Sequence, residues 1–422
     1  MRTCIVTLGV IILAAGSALG KTINVPADSS TIQAGIDGTM DGDTVLVADG
    51  IYTGEGNKNL DYGGKAIVVR SENGPEVTVI SCGNDGRGVH FHSGEGPESM
   101  LQGLTIRYGR FYGHDNGGGV LIQNSSPTIA NCIILGNRVL SDDGGGIYAY
   151  RSSSFIANCI ITGNVCARFG GGICSSQSSL SVVNCTIVYN QSIGQWWNYD
   201  LSAGGGIFCD SIFVTNSIIW GNKSYGGASS GIAYEKFAFV TYSDVQGNWP
   251  GMGNINVDPL FRDRPNDDFH LQATYCDDPD DSPCIDGGAL SVRDAVLDCL
   301  HGLGSERSDM GAYGGSNTGW LTSVEMDEGG LMTVPANYIL LQNYPNPFNS
   351  KTLLSYSLVQ PAWVVLSVYN VLGQREIILF EGFLNAGEYS TIWDASVFSS
   401  GVYLAKLEVG GYSKTIKMVL IK

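Results

Sequence analysis

The sequence predicts an all-β chain, a right-handed parallel β-helix followed by a small C-terminal antiparallel β-sandwich of Ig-like type. Three features point there. A triple glycine recurs at Gly117, Gly144, Gly170 and Gly204, at intervals of 27, 26 and 34 residues. Each triplet opens a similar unit, as in GGGVLIQNSSPTIANCIILGN and GGGIYAYRSSSFIANCIITGN. Toward the end of the chain the pattern changes to longer strands with alternating polarity, such as SSGVYLAKLEV.

The repeat decides the first domain. Each unit holds two or three short strands rich in Val, Ile, Phe and Tyr, separated by Gly, Asn and Ser. Such a coil cannot cover its own apolar face. Stacking coils about 4.8 Å apart puts equivalent residues directly above one another. Within each unit one Asn precedes a second by six residues: Asn131/Asn137, Asn158/Asn164, Asn184/Asn190 and Asn216/Asn222. Both rows are expected to form amide ladders along the axis, and Asn also tolerates a left-handed corner. Gly-Gly-Gly supplies another corner where a Cβ would clash. Degenerate copies begin at Gly103 and Gly231, so at least six coils are expected. Cys132, Cys159 and Cys185 share one row with Ser217. Redox or metal ligation is one reading of that row; a stack of small buried side chains is the one adopted.

Flanking segments look like caps. Asp28 to Met40 reads as a short amphipathic helix, with Ile32, Ala34, Ile36 and Met40 on its apolar face and Asp28 to Ser30 as capping side chains. Asp258 to Tyr313 is expected to close the last coil. Cys276 and Cys284 bracket an Asp/Pro-rich loop, where a disulfide is expected. The first residues read as a signal peptide: Arg2, an apolar run from Ile5 to Ala15, and small residues at Ala18 and Gly20. The expected division is 1–20 signal peptide, 21–314 β-helix with caps, 315–336 linker and 337–422 sandwich.

Composition narrows the partners. Hydrophobic residues make up 43% of the 422, enough to bury a core, and 58 glycines suit a corner-rich fold. The formal net charge of −17, without a compensating Lys/Arg cluster, argues against nucleic acid and anionic lipid. No segment of the mature chain is apolar enough to be a transmembrane span, and a monomer is expected.

Chemistry is sparse. Asp142-Asp143 is the best carboxylate pair, with Asp115 one coil earlier and Arg138, Arg151 and Arg168 nearby. A glycosidase needs two carboxyl groups flanking a bond, and the pair reads as a solvated turn pair rather than a catalytic one. His90 and His92 alternate on one strand, with His114 about a coil later; surface histidines are the reading taken, so no metal is expected. No nucleophile triad, phosphate loop or cofactor motif is present. The third unit carries an insertion with Trp196, Trp197 and Tyr199, aromatic rings that either stack on sugars or pack back onto the helix wall.

Three resemblances add to this. TINVPADSSTIQAGIDGTMDGDTVLVADGIY followed by GKAIVVRSENGPEVTVI resembles the N-terminal part of pectate-lyase-like β-helix proteins. DPLFRD, DFHLQA, SPCIDGG and DMGAY resemble the end region of secreted bacterial β-helix proteins with surface-anchoring tails. The paired-arginine signatures of pectate lyases and the polygalacturonase motifs are absent. In the last domain, Asn343-Tyr344-Pro345-Asn346-Pro347-Phe348-Asn349, VYNVLGQ, Trp393-Asp394, SSGVY and TIKMVLIK together resemble the C-terminal sorting domain of the type IX secretion system. That resemblance implies the type IX machinery as partner and an extracellular or outer-membrane surface location. The function expected is a non-catalytic binding or adhesive scaffold, with glycans as candidate ligands. The alternative is a divergent carbohydrate-active enzyme, lyase or hydrolase, on the same β-helix.

Overall fold

The computed structural model describes residues 20–111, 116–194, 203–225, 231–289, 292–294, 296–315, 339–358, 362–384, 387–409 and 412–422. The expected signal peptide falls outside them except for Gly20, as does all of the expected linker but Gly315.

The N-terminal part is a solenoid of parallel strands with three walls. The first wall runs from Thr22–Val25 and Thr44–Val47 through Thr128–Ala130 and Phe155–Ala157 to the second half of Ile207–Thr215. The second holds eight strands, from Gly50–Tyr52 to Asp244–Val245. The third runs from Leu60–Asp61 through Val89–Phe91, Val120–Gln123, Ile147–Tyr150 and Ile173–Ser176 to the first half of Ile207–Thr215. A narrow ribbon of two-residue strands, Arg110–Phe111 to Gln191–Ser192, lies between the second wall and the third.

Strand alternation sends one row of each wall inward. On the first wall Val45, Val69, Leu101, Ile129, Ile156, Val182, Val214 and Val240 stand in continuous register. On the second, Ile80, Ile106, Ile134, Ile161, Ile187, Ile219 and Val245 do the same. All are buried. Each contributes about 1.5–3 kcal/mol of burial, and β-branched side chains pack well in such rows.

The corners separate the two Asn rows. Asn131, Asn158, Asn184 and Asn216 have φ of 49–54°, the left-handed turn from the first wall to the second. Their side chains do not form an axial amide ladder: Asn158 Nδ2 donates to the Ala312 and Gly314 carbonyls and Asn184 Nδ2 to Gly314. The other row is a ladder. Asn137 Nδ2 donates to Asn164 Oδ1 at 3.0 Å, Asn164 to Asn190 at 2.9 Å, and Asn190 to Asn222 at 3.1 Å. The triple glycine works by close approach. A Cβ on Gly145 would lie 2.6 Å from the Gly171 carbonyl oxygen of the next coil, and Gly144 has φ +68°.

The cap helix is shorter than the sequence suggested. It spans Ile32–Asp37, with Thr31 as N-cap accepting from the Ala34 amide at 3.2 Å. Ile32 and Ile36 plug the first coil, while Met40 points to solvent. Asp28 instead accepts from the Asn24 amide in the preceding turn. At the other end, Asn254, Ile255 and Asn256 pair with Ser243, Val245 and Gly247 and finish the stack. The described residues of 258–315 therefore do something other than close the last coil. They fold back as a flap along the outer face of the second wall, where Phe261, Phe269, Leu271 and Met310 cover Ile160, Val188 and Ile218. The disulfide in this flap joins Cys276 to Cys299 rather than to Cys284. Cys284 is a buried free thiol that donates to Asp244 Oδ2 at 3.5 Å.

The tail is a sandwich of two antiparallel sheets. One holds Ile339–Leu340, Lys351–Leu358 and Gly387–Asp394; the other orders Arg375–Leu384, Ala362–Asn370, Gly401–Val409 and Tyr412–Leu420. Trp393 is fully buried at its centre, 5.0 Å from the Tyr403 ring and 5.4 Å from Phe348 and Phe398.

Candidate functional site

The outward side of the third wall carries the polar groups best placed to meet a ligand. Inward positions there are aliphatic: Leu60, Val89 and Val120. The next position faces out, and parallel register brings Asp61, His90 and Leu121 into one row. Two residues further along each coil, His92 and Gln123 form a second outward row. The His90 and His92 rings lie 4.3 Å apart, centroid to centroid.

These groups pair across coils. His90 Nε2 is 3.1 Å from Gln123 Oε1, and His92 Nε2 is 3.2 Å from Asp61 Oδ2. Burial holds the His90 pKa below its ordinary value, against the raising effect of the Gln123 hydrogen bond. When neutral, His90 can donate to the Gln123 amide oxygen with its proton on Nε2. The rim is built at the preceding corner. Asn59 Oδ1 accepts from the Arg87 amide at 2.9 Å, and the Arg87 guanidinium lies 4.3 Å over the Phe111 ring. Together Asn59, Asp61, Arg87, His90, His92, Phe111, Leu121 and Gln123 line an open cleft of about 350 Å³. Among the described residues no three His, Cys, Asp or Glu side chains converge as metal ligands. His114 lies outside the described residues.

Sequence reading reached two of these eight residues. Asp61 and Gln123 become neighbours of the histidines only through register with the coils before and after. The signal available was spacing: Asp61 precedes His90, and Gln123 follows it, by roughly one coil.

The Asp142-Asp143 pair is elsewhere and is not solvated. Both residues are under 10% exposed. Arg168 from the next coil binds Asp142 Oδ1 and Asp143 Oδ2, the second at 3.1 Å. Asp143 also accepts from the Phe169 amide, and its own amide donates to Asn116. They sit in a turn, so strand alternation does not separate them. Burial raises the Asp143 pKa, opposed by Arg168. Two carboxylates bound by one guanidinium staple adjacent coils. Arg151 bonds Gln177 of the next coil instead, and Arg138 belongs to the ribbon. Asp115, Trp196, Trp197 and Tyr199 lie outside the described residues.

The cysteine row is closed to chemistry. Cys132, Cys159 and Cys185 are fully buried, and each thiol donates to the carbonyl two residues back, at 3.2, 3.2 and 3.3 Å. Ser217 and Ser243 continue the row with the same bond at 2.9 and 2.8 Å. Burial pushes the Cys132 and Cys159 thiols well up, so they stay protonated.

In the tail, the Asn343–Asn349 segment is tied down by its own side chains. Asn343 Nδ2 donates to Thr352 Oγ1 at 2.8 Å and to the Pro345 carbonyl at 3.0 Å. Asn346 and Phe348 bond the neighbouring strand Tyr412–Leu420.

Residues 49–249 match the family of the right handed beta helix region, and residues 342–422 match the secretion system C-terminal sorting domain. The chain carries a right-handed β-helix region followed by a C-terminal sorting domain of the type IX secretion system. The sorting domain places this β-helix protein on the route to the cell surface or extracellular space. No helix among the described residues is long and apolar enough to cross a membrane. No curated protein matches the chain. Among solved structures it is similar to the pectin methylesterase from Aspergillus niger in deglycosylated form. Sequence identity there is 13% and the TM-score 0.35, over 57% of this chain and 84% of that one.

Proposed function

We propose that this secreted β-helix protein is a non-catalytic binding scaffold and that the third-wall cleft holds a glycan. The observation that carries the reading is the cleft itself. Its volume of about 350 Å³ suits one or two sugar rings, near the lower end of ligand sites at ~300–1,000 Å³. Apart from Leu121 its lining is planar and mostly polar: two amides, a carboxylate, two imidazoles and a guanidinium stacked on an aromatic ring. Such groups match ring hydroxyls in pairs. Among the described residues one carboxylate, Asp61, lines the cleft, whereas hydrolysis of a glycosidic bond usually employs two. The Asp142-Asp143 pair is occupied by Arg168. Trp196, Trp197 and Tyr199 remain part of the proposal as a second, aromatic contact.

The test is a glycan array probed with the mature protein, alongside an assay for new reducing ends and unsaturated products. Retention on a defined glycan class without turnover is expected. His92→Ala and Gln123→Ala should each weaken it roughly tenfold, about 1.4 kcal/mol, and Trp196→Ala/Trp197→Ala should weaken it further. Turnover abolished by Asp61→Asn, or by Asp142→Ala or Asp143→Ala, would replace the scaffold with the carbohydrate-active enzyme. Glycan binding unchanged in all these variants would remove the cleft and the insertion from the account.

A further inference from the structure

The last strand of the tail, Tyr412–Leu420, is an edge strand whose outer side is only partly covered. Its inner side pairs with Gly401–Val409 along the whole length. On the outer side, the Asn343–Asn349 segment acts as a strap. Asn346 Oδ1 accepts from the Val419 amide at 2.8 Å, and its Nδ2 donates to the Lys417 carbonyl at 3.1 Å. The Phe348 amide donates to the Val419 carbonyl at 2.9 Å, and the Ile421 amide to the Phe348 carbonyl at 2.8 Å. Gln342 Nε2 adds a second donor to Lys417.

These bonds identify the outward-facing residues. Val419 presents both backbone groups to the strap, so by strand alternation Thr415 and Ser413 present theirs to the same side. Among the described residues, the strap reaches no further than Lys417. The Lys417 carbonyl is taken by the strap, so among the described residues the open stretch runs from Ser413 to the Lys417 amide, a template for pairing.

Charge marks this stretch apart. Residues 339–422 hold six Lys or Arg and five Asp or Glu, whereas the whole chain carries −17. The tail is thus slightly basic on a strongly acidic passenger. The basicity concentrates at the edge, where Lys414, Lys417 and Lys422 follow Glu408 with no further acid. Glu408 itself is paired with Lys406 at 2.6 Å. Two copies of this edge would repel each other, and an acidic strand would be attracted.

We propose that the sorting machinery recognises this tail by strand addition. An extended, acidic segment of a secretion component pairs with the open edge at Ser413–Lys417, and the strap closes the rest of the edge and so sets the register. Backbone bonds supply the affinity, and the lysines select the partner.

The experiment uses the full chain expressed in a bacterium with type IX secretion. Thr415→Pro removes an outward donor while keeping the inner ladder, which an edge strand tolerates. Lys414→Glu/Lys417→Glu reverses the charge without touching the backbone. Both should keep a protease-resistant tail and a buried Trp393 fluorescence spectrum, yet lower the exported fraction at least tenfold with periplasmic accumulation. Val402→Ser, on the outward face of the same sheet, should export normally. Normal export of the folded proline variant would overturn strand addition. If that variant fails to fold, normal export of the charge-reversal variant overturns the proposal. A tail-mediated dimer in sedimentation, lost in Thr415→Pro, would assign the edge to a second copy instead and equally overturn it.

Discussion

A single asparagine shows how much a coil owes to its neighbours. Asn164 Oδ1 accepts from the Asn137 amide and side chain, and its Nδ2 donates to the Ile134 carbonyl and to Asn190. Four bonds across three coils converge on one buried side chain. Replacement by Ala leaves the Asn137 amide unpaired in a dry interior, at about 1–3 kcal/mol, and removes the side-chain donors to Asn190 and to the Ile134 carbonyl, which keeps its ladder bond to the next coil. Asn164→Ala should therefore destabilise the solenoid by about 3 kcal/mol, seen as a lower urea midpoint. Destabilisation under about 0.5 kcal/mol, the range of ordinary surface changes, would show that the ladder is not under load. The sequence announced the spacing of both Asn rows, but only coordinates separate their work. One row bonds along the axis, while the other holds a corner and the flap.

At the scale of elements, the flap is the part least legible in the sequence. Its residues suggested an end piece because they follow the last repeat. Their placement depends on long-range contacts, such as the Ala289 amide on Asn216 and the Ala312 amide on Thr186. No local pattern encodes those contacts. Likewise Cys299, not Cys284, pairs with Cys276, while Cys284 is buried on the inner face of the flap against Asp244. Two carboxylates hold the flap together. Asp309 accepts from the Asp286 and Leu303 amides, and Asp294 accepts from the Asp309 amide. Burial raises Asp309 to about 8, with Asp294 adding to it, and raises Asp294 to about 6. Both folded values lie above the unfolded one near 3.8. The stability they contribute is complete below about pH 4 and falls as pH rises through 6 and 8. Amide exchange at Leu303, Gly311 and Ala312, corrected for intrinsic rates, should therefore be faster at pH 9 than at pH 5. Asp309→Asn should flatten that dependence; an unchanged slope would locate the sensitivity elsewhere.

For the whole molecule, architecture and destination were the legible part. The Gly and Asn periods announce stacked coils, and several ordered motifs announce the tail. The cleft was not legible as a site, because Asp61, His90 and Gln123 come from three successive coils and meet only through register. Removal of residues 337–422 should leave the β-helix folded, since its core cluster contains no tail residue, and confine it to the periplasm. Cell fractionation with protease shaving reads this out, and surface display of the truncated chain would contradict it.

The Asn137-to-Asn222 ladder has one more consequence. Each step joins equivalent atoms in equivalent coils, so the contact between any two neighbours is the same kind of seam. A copy of residues 144–169 inserted after Asp143 would meet matching partners above and below. Solenoid length is thus an adjustable quantity that changes by about 4.8 Å per coil, and this fold can serve as a molecular ruler as readily as a support.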